Sequence, residues 1–154
     1  MRISVGSDHR GLEVKQRLAE LLQRLGHEVV DEGTQTDQSV DYPDIAAVVA
    51  EKVSQNNVER GILICGTGIG MSITANKFHG VRAATCNDAV TAEISRRHND
   101  VNVLCLAGDL LGQRSIDRLI EIWLNTQFEG GRHARRLEKI AALECRKASE
   151  PRRD

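Results

Sequence analysis

Gly61-Ile62-Leu63-Ile64-Cys65-Gly66-Thr67-Gly68-Ile69-Gly70 decides how this chain is read. The apolar run Ile62 to Ile64 has the length and composition of a buried strand. It runs straight into a glycine-rich turn, and Met71, Ile73 and Ala75 then carry a helix pattern. A strand, a Gly-rich loop and a helix start, in that order, make an anion site. Backbone N–H groups face outward there and the helix dipole favours negative charge. Cys65 falls at the carboxyl end of the strand beside those donors, where a thiol is expected to have a lowered pKa and to be reactive. One segment therefore offers a candidate base or nucleophile and a candidate oxyanion cradle. It is not the dinucleotide fingerprint, which needs a glycine where Met71 stands, and it lacks the Gly-Lys-Ser/Thr of a P-loop.

Working outward, strands and helices alternate along the whole chain. Ile3 to Gly6 reads as a strand ending at Ser7-Asp8-His9, and Val14, Leu18, Leu21, Leu22 and Leu25 then share one helical face. Gly26 closes that helix and His27 to Asp31 reads as a second strand. A polar loop leads to Asp41-Tyr42-Pro43-Asp44, where Pro43 suits a first helical turn. After the central strand come a helix from about Ile69 to Phe78, a strand over Val81 to Thr85, and a helix capped by Asn87-Asp88 and running to about Arg97. Val101 to Ala107 is the fifth strand. Ile116, Leu119, Ile120, Trp123 and Leu124 mark an amphipathic helix, Gly130-Gly131 breaks the chain, and Arg132 to about Ala148 forms a last helix. This alternation implies an α/β fold, a Rossmann-like three-layer sandwich. A parallel sheet of about five strands carries helices on both faces, with an extra C-terminal helix. Residues 1–148 read as one domain and 149–154 as a disordered tail.

Such sheets bind ligands outside the carboxyl ends of their strands. Asp8 and His9, Cys65 to Gly70, and Asn87 and Asp88 all fall at those ends.

Composition narrows the function. Only Tyr42, Phe78, Trp123 and Phe128 are aromatic, too few for a single-stranded nucleic-acid platform. The net charge of −1 also argues against nucleic acid. Residues 131–154 nevertheless carry eight Arg/Lys against four Asp/Glu, which suggests a subunit contact or an anion clamp. No apolar run is long enough to span a membrane, and the N-terminus has no signal-peptide pattern. Cys65, Cys86, Cys105 and Cys145 lack metal-site or redox-motif spacing, so free thiols in a reducing cytoplasm are expected.

Each candidate residue has a plainer alternative. Cys65 reads either as a buried inert thiol or as the reactive group, exposed because a glycine follows it. His98, in Arg96-Arg97-His98-Asn99-Asp100, is either a solvated helix cap or an acid favoured by the helix C-terminus. His9 is either structural or, beside Asp8 at a strand end, functional. Arg132 and Arg136 share a helical face, either a solvated basic stripe or a two-arginine phosphate grip.

Together these residues resemble the ribose-5-phosphate isomerase B family, which includes galactose-6-phosphate isomerase. The matching stretches are Gly6-x-Asp8-His9-x-Gly11, Asp41-Tyr42-Pro43, Gly61 to Gly70, Ala75-Asn76-Lys77, Arg97-His98-Asn99-Asp100-x-Asn102-Val103-Leu104 and Phe128-Glu129-Gly130-Gly131-Arg132-His133. They keep family order and spacing, and only the tail after about Arg146 falls outside. The resemblance implies metal-free, cofactor-free interconversion of ribose 5-phosphate and ribulose 5-phosphate through a cis-enediolate. It implies Cys65 as the base between C1 and C2, His98 as the ring-opening acid and Thr67 as a hydroxyl proton shuttle. Backbone N–H groups of Gly66, Gly68, Ile69 and Gly70 would stabilise the enediolate. Asp8 and Asn99 would hold sugar hydroxyls with Tyr42 nearby, and His9, Arg132 and Arg136 the phosphate. It also implies a homodimer or tetramer whose sites are built from two subunits.

One position departs from the family pattern. Asp109 stands where an arginine usually joins the phosphate site. A reversed charge beside a dianion weakens phosphate binding unless another cation answers it. Arg114 is one candidate. Another sugar is the alternative: a hexose 6-phosphate, an allose-type sugar or a non-phosphorylated pentose. A non-catalytic phosphosugar-binding protein is the reading from a different functional class.

Overall fold

A computed structural model describes residues 1–110 and 113–149, with backbone alone at 113–115 and 146–149. Of the tail expected at 149–154, Ser149 ends the last helix, and 150–154 lie outside the described residues, as does the side chain of Arg114.

The strands are β1 (Arg2–Ser7), β2 (Glu28–Asp31), β3 (Arg60–Cys65), β4 (Ala83–Thr85) and β5 (Val103–Ala107). The helices are α1 (Leu12–Arg24), α2 (Tyr42–Ser54), α3 (Ile69–Ala75), α4 (Ala89–Asn99), α5 (Gln113–Asn125) and α6 (Arg132–Ser149). A short 3-10 turn, His9–Gly11, joins β1 to α1. All pairings are parallel, in the order β2-β1-β3-β5-β4. Connections leave β1 in opposite directions, to β2 on one side and β3 on the other. The crevice between the carboxyl ends of β1 and β3 is the topological switch point of the sheet.

Burial on both faces explains why the strands read as continuous apolar runs. Ile62 and Ile64 of β3, with Leu104 and Leu106 of β5, pack against α1, α4 and α5 through Leu18, Leu22, Ala92, Leu119 and Trp123. The alternate residues Leu63, Cys65, Val103 and Cys105 pack against α2 and α3 through Ala46, Val49, Met71 and Ala75. Val5 pairs with Ile62 and Ile62 with Leu104, so apolar neighbours sit side by side across the sheet.

β4 and β5 each start two residues later than the sequence implies. Arg82 donates its N–H to Asn102 Oδ1 and Ala83 to Asn76 Oδ1, so side chains replace the ladder before β4. Val101 donates to Ser95 O after Asp100 adopts a left-handed turn, which closes α4 and delays β5 to Val103. Helix α3 stops at Ala75 for a related reason: Asn76 turns its amide onto Ser72 O and Ala83 O.

Candidate active site

Cys65 is the last residue of β3 and is 5% exposed. Gly68, three residues on, has φ +75°, a left-handed conformation open to glycine and costly to most side chains. That turn folds the loop back so that the Gly68 N–H donates to Cys65 Sγ at 3.1 Å. The Ile69 N–H reaches Thr67 Oγ1 at 3.4 Å. Among the described residues, the N–H groups of Thr67 and Gly70 meet no acceptor. The ring of Tyr42, at the start of α2, lies against Gly70 with carbon atoms 2.5 Å from where a Cβ would stand.

Across the switch point, Asp8 caps the 3-10 turn after β1. Its Oδ1 accepts from Arg10 N at 3.0 Å and Gly11 N at 3.2 Å. His9 Nδ1 accepts from Val40 N at 3.4 Å, which assigns the proton to Nε2. Arg10 reaches across to β5, where its Nε and Nη2 both donate to Asp109 Oδ2, the former at 2.7 Å. Asp109 therefore does not stand as an uncompensated negative charge. Its hydrogen bond and charge, with lesser contributions from Asp8 and Cys65, hold the Arg10 guanidinium above its ordinary pKa.

Not every cysteine is equivalent. Burial pushes the thiols of Cys86 and Cys105 up, so both are held as neutral apolar groups. Neither sits in the loop.

His98 and Asn99 are elsewhere. They end α4, and Asn102 O, three residues past Asn99, accepts from Gly61 N at the start of β3. Arg82, just before β4, donates to Asn99 O at 3.2 Å. This is the amino end of the sheet, separated from Cys65 by about the length of a strand, roughly 15–20 Å. Here His98 stacks on His133, with ring centroids 4.1 Å apart and planes within 6°. Glu129 Oε2 lies 3.7 Å from Nε2 of each histidine, and Arg97 Nε donates to its Oε1 at 2.6 Å. Arg132 Nε approaches His133 Nε2 at 3.4 Å, and Arg136 adds positive charge beside the same ring. Burial first, then His98, Arg132 and Arg136, lowers the His133 pKa.

The described structure thus gathers the sequence-expected residues into two groups. Asp8, His9, Tyr42 and Cys65 to Gly70 meet at the carboxyl end, and His98, Asn99, Arg132 and Arg136 at the other. The donor atoms of His98, Glu129 and His133 lie within 4.8 Å of one another, a spacing that could hold a cation. Arg97 and Arg132 already engage Glu129 and His133, so the cluster is an ion-paired support for His98 in this state. Sequence reasoning missed Arg10, although it follows Asp8-His9 directly. Its partner lies 99 residues away, a pairing no local pattern carries.

Comparison with known proteins gives the family of the chain. The profile of the ribose/galactose isomerase family matches residues 3–140. Ribose-5-phosphate isomerase B of Escherichia coli K12 is 44% identical over 146 residues, covering 95% of this chain and 98% of its own. The structure of the Clostridium thermocellum ribose-5-phosphate isomerase B superposes with a TM-score of 0.94 at 46% identity, covering 96% of this chain and 99% of that one. The Mycoplasma genitalium enzyme, solved with ribulose 5-phosphate bound, gives a TM-score of 0.90 at 42% identity over 94% of this chain and 96% of that one. The family profile covers most of the chain and relatives above 40% identity cover nearly all of it, so the chain belongs to the ribose/galactose isomerase family.

Proposed function

We propose that the protein interconverts ribose 5-phosphate and ribulose 5-phosphate, with Cys65 as the base and His98 as the ring-opening acid. The observation that carries the mechanism is the Gly68 N–H on Cys65 Sγ. It fixes the sulfur inside a loop whose Thr67 and Gly70 N–H groups are available to an oxyanion. In the forward direction His98 gives a proton to the ring oxygen as the bond from C1 to that oxygen breaks, and the anomeric hydroxyl releases its proton to water, which reprotonates His98, as the C1 carbonyl forms. Cys65 then takes the C2 proton. The C–H electron pair becomes the C1–C2 double bond, and the carbonyl oxygen O1 takes the negative charge, held by the backbone donors. Thr67 carries the O2 proton to O1. Cys65 returns its proton to C1, leaving the carbonyl at C2. Atoms and electrons balance within the substrate, so the reaction calls for no outside oxidant or reductant.

Because Cys65 and His98 sit at opposite ends of one sheet, the proposal requires two copies, each supplying His98, Asn99, Arg132 and Arg136 to the loop of the other. Exposed apolar side chains support such a contact. Ile69 and Ile73 of α3 are each 58% exposed and Leu143 of α6 is 57% exposed. A cavity of about 700 Å³ under α6, lined by Phe78, Val81, Leu137, Ile140 and Leu143 among others, lies away from Cys65 and suits a subunit contact. Among the described residues no helix is long and apolar enough to cross a membrane. The buried free thiols Cys65, Cys86 and Cys105 fit a reducing, cytoplasmic setting.

A coupled assay of ketose formation tests this reading, run on ribose 5-phosphate, allose 6-phosphate and free ribose. Turnover confined to ribose 5-phosphate is expected. Equal rates on free and phosphorylated ribose would refute the phosphopentose assignment, and binding without turnover would favour a phosphosugar sensor.

A further inference from the structure

Among the described residues the Arg10–Asp109 pair is the charged contact that bridges the carboxyl ends of β1 and β5, and it crosses directly over the loop that follows β3. A Cβ on Gly66 would meet Asp109 Oδ2 at 2.8 Å and Arg10 Nε at 3.0 Å, so the pair rests on the first glycine after Cys65. Cys65 O accepts from Gly108 N at 2.8 Å and Gly66 O from Asp109 N at 3.3 Å, which pins the β5 end of the clasp to the same loop. The Arg10 side chain remains 58% exposed. Two of its N–H groups go to one carboxylate oxygen, and Nη1 donates to nothing among the described residues. A guanidinium held by one edge presents its remaining donors in a fixed fork, the geometry that binds tetrahedral oxyanions. Its chain neighbours are Asp8 and His9, both facing the switch-point crevice.

We infer that Arg10 is the cation that receives the substrate's phosphate at this end of the sheet, with Asp109 as the carboxylate that holds it over Gly66. The inference rests on the isomerase reading and specifies how that site recognises its phosphosugar. Asp109 alone would repel a phosphate dianion, but clasped by Arg10 it serves as the anchor of the binding cation. Asp109 Oδ2 touches Arg10 Nε at 2.7 Å, so an arginine at position 109 reaches the same region.

The test uses the full chain and two readouts, steady-state kinetics with ribose 5-phosphate and a phosphorus NMR titration with inorganic phosphate. Arg10→Ala is expected to raise KM and weaken phosphate binding by about ten- to hundredfold while kcat falls less than about threefold. Arg10→Lys keeps the charge without the fork and should fall between wild type and Arg10→Ala. The double variant Arg10→Val with Asp109→Arg abolishes the clasp but restores a cation, and should recover most of the lost phosphate affinity. A purely structural clasp predicts the opposite, no recovery in the double variant. Wild-type KM and phosphate binding in Arg10→Ala would also overturn the inference. The phosphate titration does not depend on turnover. A wild-type chain inert toward ribose 5-phosphate would sink the isomerase reading, whereas an active chain whose Arg10→Ala variant binds phosphate normally would sink this inference alone.

Discussion

His98 and His133 lie face to face, and two protonated imidazoles at that distance would repel each other. The surroundings of His133 disfavour its charged form and lower its pKa. The ring is buried, Arg132 and Arg136 add positive charge beside it, and Arg132 Nε faces its Nε2. His98, stacked on it, is the ring proposed above as the acid for sugar opening. The lowered pKa has a stability consequence with a definite sign. Between its folded pKa and the unfolded value near 6.5, the unfolded chain binds more protons at this position, so stability falls as the pH drops through that window. Thermal unfolding followed from pH 7 to pH 5 is expected to show this loss, and His133→Asn should flatten it. A residual slope should remain from His27, whose pKa is lowered by burial, the N-terminal ammonium and Arg60. A His133→Asn curve as steep as wild type would contradict the account. At this scale the placement of Cys65 at the carboxyl end of a strand and of His98 in the last turn of a helix was legible in the sequence. Arg10 and the His98–His133 stack were not, because their partners arrive only through tertiary folding.

Among the elements, the turn after β2 depends on a buried charge. Lys15 of α1 is fully buried, and its Nζ donates to both oxygens of Asp31, at 2.6 and 2.7 Å. Burial acts to raise the Asp31 pKa, but Lys15, Gln35 and the Gly33 N–H outweigh it and hold the carboxyl below its usual value. Asp31→Asn would leave the ammonium buried beside a neutral group. The expected loss in urea unfolding is about 2–4 kcal/mol, below the range for a fully buried pair because Asp31 is one-third exposed. A loss under about 1 kcal/mol would show that Lys15 finds other solvation. Element type was largely readable, since both-face burial writes continuous apolar runs and the helices carry clear stripes. Boundaries at β4 and β5 were not. Asn76 and Asn102 supply side-chain partners that make β4 start late, the left-handed turn at Asp100 delays β5, and apolar periodicity is blind to both.

For the whole molecule, the decisive fact is that one sheet separates the proposed base from the proposed acid. Strand and helix alternation gives the topology, and the topology gives a crevice at β1 and β3. Neither states which copy of the chain fills it. The basic segment from Gly131 onward hinted at a subunit contact, and the structure places Arg132 and Arg136 beside His133, which stacks on His98, rather than beside Cys65. Exposed Ile69, Ile73 and Leu143 then mark surfaces that one chain does not cover by itself. A composite site makes the mixing of defective subunits informative. Cys65→Ala and His98→Asn homodimers should each be inactive. Unfolded together and refolded as a random mixture, half the dimers pair one of each, and each such dimer has one intact site of two. The account predicts recovery of about a quarter of wild-type activity on ribose 5-phosphate, and a mixture that stays as inactive as its components would contradict it.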